Sequence, residues 1–192
     1  MDSDVSRQLR QIAEGLRAIS EGSYAAQVER ALDILETAFR AGGTLLVFGN
    51  GGSAADAEHL CAELVGRFSA DRRPLPAIAL TTNQAFLTAW SNDRQFDDVF
   101  ARQIEGVGRP GDVAWGISTS GNSPNVVNGL RRARELGLRT LGLSGATGGP
   151  MAEWCDALMA VPLDQTPRIQ EAHLVTYHTI CGELERRLFT RG

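Results

Sequence analysis

The chain has 192 residues, 43% hydrophobic and 22% charged, which fits one folded domain with a sizeable core and excludes a disordered chain. Its formal charge of −4 offers no basic field to a nucleic-acid backbone or an anionic membrane, and no apolar run approaches the roughly 18 residues of a membrane span. Cys61, Cys155 and Cys181 are odd in number and far apart, so neither a disulfide framework nor a CxxC site is expected, and a reducing cytoplasm is the expected compartment.

In chain order, Val5, Leu9, Ile12, Leu16 and Ile19 recur at spacings of four and three, which predicts an amphipathic helix with one apolar stripe. A second helix is predicted over about 24–40, carrying Val28, Leu32, Leu35 and Phe39 and stopping at Gly42-Gly43. From residue 44 the texture changes to short apolar runs at 44–48, 77–80, 113–117, 140–143 and 157–161. None alternates with polar residues, as expected for parallel strands covered on both faces, and the segments between them are long enough for crossover helices. The predicted fold is α/β: a doubly wound, mainly parallel five-stranded sheet flanked by helices. It forms a single domain over 1–192, with an N-terminal helical pair at 1–42 and the α/β core with a C-terminal helix at 43–192.

Ligands of such sheets sit outside the carboxyl ends of the strands. After the first strand comes Gly49-Asn50-Gly51-Gly52-Ser53 and then a helical pattern over 54–68. The turn offers backbone N–H groups, the Ser53 hydroxyl and a helix N-terminus to an anion or to sugar hydroxyls; a plain glycine turn would look the same. It matches neither GxxxxGK[ST] nor GxGxxG, so a nucleotide is not expected. The third strand ends in Ser118-Thr119-Ser120-Gly121-Asn122-Ser123-Pro124, four hydroxyl side chains within six residues, before a helix over about 124–136. Pro124 suits a first helical turn and Ser123 the N-cap, so neutral donors gather where a phosphate monoester would fit, although serine-rich loops also occur without ligands.

GNGGS and STSGNS occur with His59-Leu60-Cys61-Ala62-Glu63, Gly66-Arg67, Pro76-Ala77-Ile78-Ala79-Leu80, Asn92-Asp93 and Arg168-Ile169-Gln170-Glu171. In this order and spacing the chain resembles, over nearly its whole length, the phosphoheptose isomerases of the sugar isomerase (SIS) domain family. Independently of that resemblance, His59 and Glu63 stand four apart on one helix face, where a proton or a metal can be shared. Gln170 and His178 are eight apart, about 80° in projection, and can face one pocket. A surface His/Glu pair and a core histidine are the bland readings of the same residues.

The resemblance implies an aldose-ketose isomerase that interconverts sedoheptulose 7-phosphate and D-glycero-D-manno-heptose 7-phosphate, with no nucleotide or redox cofactor. It implies that His59, Glu63, Gln170 and His178 line the active site and hold a zinc ion, as in some members. An enediol reaction needs a base at carbon and an acid at oxygen; Glu63 is assigned as base and His178 as acid. Substrate contacts are assigned to Asn50, Gly51, Gly52, Ser53, Glu63, Arg67, Asn92, Asp93, Ser118, Thr119, Ser120, Ser123 and Gln170, with Arg67 also readable as an ordinary surface arginine. The chain departs from the family's commonest form at Ser91 and Pro167, both at the sugar-binding rim. His173 falls on a different part of the helix face and is left out of the catalytic set. A non-catalytic relative that binds the replication initiator protein is the competing reading; in that branch the positions of Glu63 and His178 are altered, whereas both are present here. Family members are homotetramers with active sites between subunits, so a homotetramer with neither nucleic-acid nor membrane partners is expected.

Overall fold

A computed structural model describes residues 3–189; positions 1–2 and 190–192 of the span read as one domain lie outside them. Helices α1 (Asp4–Glu21) and α2 (Tyr24–Arg40) precede the first strand, β1 (Leu45–Gly49). Then follow α3 (Gly52–Val65), β2 (Ala77–Ala79), α4 (Gln84–Asp93), α5 (Val99–Val107), β3 (Val113–Ser118), α6 (Pro124–Glu135), β4 (Arg139–Ser144), β5 (Ala157–Ala160) and α7 (Thr166–Phe189). The strand order is β2-β1-β3-β4-β5 and every pairing is parallel.

Strand residues alternate between two cores, as the pleat requires. Leu45, Val47, Trp115 and Leu141 face α2, α3 and α7, together with Leu32, Leu60 and Tyr177. Leu46, Phe48 and Ala114 face α5 and α6, together with Phe100, Ile104, Val126 and Leu130. The sheet is therefore covered on both sides, which is why its strands lack polar alternation.

The chain leaves β1 toward β2 on one side and reaches β3 on the other, so the topological switch point lies between the carboxyl ends of β1 and β3. The two glycine-serine loops follow those two strands. The helix expected over 54–68 ends earlier, at Val65, with Gly66 as C-cap. Asn92 and Asp93 do not follow the second strand directly; they form the last turn of α4, where Ser91 bonds back to the Leu87 carbonyl at 2.6 Å. At the N-terminus, Ile19 is buried, but Val5 is 67% and Leu9 61% exposed, so the outer half of the α1 stripe has no cover within the chain.

Candidate active site

Gly51 caps α3 with φ 55° and ψ −120°, a conformation that L side chains avoid, and so turns the chain from β1 into the helix within two residues. A Cβ on Gly52 would run into the Gln170 side-chain amide, which therefore lies directly over the first turn of α3. Asn50 and Asn125 exchange two side-chain hydrogen bonds of 2.8 Å, tying the loop after β1 to the start of α6. Ser53 is buried under this turn.

In the loop after β3, Gly121 has φ +66°, and a Cβ there would strike the Gly148 carbonyl, so the loop's shape requires glycine. Ser118 and Ser123 share a hydrogen bond of 3.0 Å, and the Ser120 hydroxyl accepts from the Asn122 amide at 3.2 Å. Ser123 occupies the N-cap position, as expected, but its hydroxyl turns to Ser118 instead of capping the helix. Thr119 is held by the Gly145 amide, which donates to its carbonyl at 2.9 Å.

Along the seam between α3 and α7, residue pairs advance in the same direction. Gly52 meets Gln170, His59 meets His178 and Phe68 meets Gly182, so the two helices run parallel. His59 Nε2 lies 3.0 Å from Glu63 Oε1, and the His59 and His178 rings stand edge to face at 5.0 Å. One donor atom from each of His59, Glu63 and His178 falls within 4.8 Å of the others. The Gln170 amide rests on Gly52, in the first turn of α3, two turns before His59 on the same helix.

The second nitrogen of His59, Nδ1, lies 3.0 Å from Tyr177 Oη, which donates to Asp56 Oδ1 at 3.4 Å. Such a chain fixes the orientation and tautomer of the imidazole. Burial pushes the Asp56 carboxyl up to about 6, against the lowering effects of Tyr177 and His59. Burial also lowers the His178 pKa, as does the nearby His59, with Glu63 opposing them. His178 Nε2 is buried without a hydrogen-bond partner, and Asp56 Oδ2 likewise. An orphaned imidazole nitrogen beside a second imidazole and a carboxylate is a donor set suited to zinc, with ring nitrogen and carboxylate oxygen and no thiolate. The residues present fit the ion.

The remaining assigned residues stand apart from this cluster. Arg67, Asn92 and Asp93 are exposed, and among the described residues no hydrogen bond joins them to His59, Glu63 or His178. Tyr177, Asp56, Asn125 and Phe68 belong to the site although sequence reasoning did not select them. Two carried a signal: Asp56 lies three residues before His59 on the same helix side, and Tyr177 seven after Gln170.

Residues 9–145 match the SIS domain family. A phosphoheptose isomerase of Crocosphaera subtropica is 52% identical over 169 residues, spanning 88% of this chain and 86% of its own. One from a Geobacter species is 49% identical over 192 residues, 100% of both chains. The structure of a phosphoheptose isomerase from Neisseria gonorrhoeae has a TM-score of 0.86 and 38% identity, covering 95% of this chain and 99% of that one. The chain belongs to the SIS domain family and, within it, to the phosphoheptose isomerases.

Proposed function

We propose that the protein isomerises sedoheptulose 7-phosphate to D-glycero-D-manno-heptose 7-phosphate, an early step in making activated heptoses. The observation that carries this reading is the meeting of Glu63, on the helix that leaves the β1 loop, with His178 of α7. The approach of the carboxylate to two imidazoles supplies a base and a neutral acid in one place. Glu63 takes a proton from C1 of the open-chain ketose, exchanges it with solvent, and delivers a proton to C2. His178 moves the hydroxyl protons between O1 and O2, so the carbonyl passes from C2 to C1 with no net change in composition. The neutral donors of Ser118, Thr119, Ser120 and Ser123, with the start of α6, hold the phosphate at the switch point. Gly51, Gly52, Ser53 and Gln170 line the turn between that phosphate and the cluster, and Asn50 retains one N–H for a sugar hydroxyl beside its bonds to Asn125.

A zinc ion would be held by His59, Glu63 and His178, with Gln170 as the further ligand the family resemblance implies, and when bound it supplies positive charge that polarises the sugar's carbonyl and stabilises the developing oxyanion. With Nε2 of His59 engaged, its proton sits on Nδ1 and is donated to Tyr177, which donates in turn to Asp56. Metal analysis of the purified protein should find about one zinc per chain, and His59→Ala should lower that stoichiometry. A homotetramer with active sites between subunits would explain two features of the isolated chain: the uncovered α1 stripe, and the exposure of Asn92, Asp93 and Arg67.

The reading is tested by incubating the pure protein with sedoheptulose 7-phosphate and a panel of shorter ketose phosphates. Turnover should favour the seven-carbon sugar; turnover of a shorter sugar alone would reassign the substrate. The absence of turnover on every member of the panel would return the chain to the binding-protein branch.

A further inference from the structure

Arg72 and Glu185 form the most deeply buried ion pair among the described residues, with side chains 1% and 5% exposed and Nε to Oε1 at 2.9 Å. Neither residue bonds to a side chain of the candidate cluster, and they lie 113 positions apart in sequence. The Arg72 guanidinium takes over the carbonyls that the last turn of α3 leaves unpaired. Nη2 donates to the Glu63 carbonyl at 2.8 Å, and Nη1 to those of Leu64 at 2.8 Å and Gly66 at 3.3 Å. Glu185 accepts from the amides of Phe68, Ser69 and Ala70 at 2.9, 3.0 and 2.8 Å. Burial alone would raise the Glu185 carboxyl, but these three amides and Arg72 hold it below the usual carboxylate range.

The consequence is geometric. The backbone of Glu63, on α3, and the loop carrying Phe68 are fastened together onto α7. The Phe68 ring lies 5.4 Å from the His178 ring and against Gly182. A buried ion pair is on average no more stabilising than well-packed apolar residues of the same volume, so added stability does not account for it. What apolar residues would not reproduce is a guanidinium that gathers four carbonyls, those of Glu63, Leu64, Gly66 and Arg73, joined to a carboxylate that gathers three amides.

We propose that Arg72 and Glu185 are positioning residues for the isomerisation, locking the end of α3 and the Phe68 loop onto α7 so that Glu63 and His178 meet at their working separation. The proposal rests on the isomerase reading above. It predicts that loosening the pair harms the proton-transfer step and spares the phosphate contacts, which lie at the far end of the seam.

The test uses the full chain with Glu185→Gln, Phe68→Ala and the double variant. Glutamine keeps the shape of Glu185 but sets an N–H₂ among the loop amides. Phe68→Ala leaves the ion pair intact, so it reports even where Glu185→Gln misfolds. Each single variant should lose about a hundredfold in kcat with KM within about twofold of the parent. The double variant should lose little more than the worse single, because both act through one contact. Hydrogen exchange should rise at 66–73 in Glu185→Gln while β1 and β3 stay protected. Two results overturn the proposal: folded Glu185→Gln with parental kcat, or losses that multiply in the double variant. Failure of the parent chain to turn over any ketose phosphate would instead overturn the isomerase reading, whatever the exchange pattern.

Discussion

His178 keeps Nε2 away from water and without a partner while its ring stands edge-on to His59, and burial holds its pKa below that of a free imidazole. A ring kept neutral in this way can accept a hydroxyl proton and pass it on, which asparagine in the same place cannot. His178→Asn should therefore lose about 10²- to 10⁴-fold in kcat with KM little changed, and a rate near the parent's would move the acid role to another group. His173, on the same helix, has a different part. It is fully buried, and burial pushes its pKa down from 6.5 to about 4, with the Ser144 backbone opposing only in part. Between those two values the unfolded chain binds a proton that the folded chain refuses, so this contribution to stability is complete above pH 6.5 and is lost as the pH falls toward 4. Melting temperature should drop across that window in the parent and drop less in His173→Leu; identical slopes would exclude His173 as the source.

At the scale of elements, the loop after β3 owes its shape to Gly121 and its polarity to Ser118, Ser120 and Ser123. Gly121→Ala brings a Cβ onto the Gly148 carbonyl and forces a positive φ on an L residue. It should raise KM for the sugar phosphate by about tenfold or more, as should alanine at both Ser118 and Ser123. If binding weakened instead only on changes at Arg67, the phosphate would lie elsewhere. These loops were legible in the sequence because glycine and serine follow apolar runs at the ends of β1 and β3, where parallel sheets bind ligands. The strands were legible for the same reason, as runs without alternation. The end of α3 was not, because what stops the helix near Gly66 includes a carboxylate from Glu185, far along the chain, and no local pattern records it. The place of Gln170 over Gly52 was hidden likewise, because helical projection gives an angle about the axis and not which turn of the neighbouring helix a side chain meets.

For the whole molecule, Val5 and Leu9 leave an apolar strip in water that one chain cannot cover. The homotetramer that the family resemblance implies would cover it with other copies, and light scattering should then give about four times the 20.7 kDa of one chain. Replacing Val5 and Leu9 with serine should shift the assembly toward smaller species and lower the activity with it; a fully active monomer would show that one chain builds a complete site. The central claim is that Glu63 moves a proton between two carbons of a phosphorylated heptose. The most direct measurement follows sedoheptulose 7-phosphate by NMR in D₂O with the parent chain and with Glu63→Gln. The parent should form the aldose heptose 7-phosphate with deuterium at C2, and the variant should bind the sugar without converting it. Conversion by Glu63→Gln at a rate near the parent's would contradict the account.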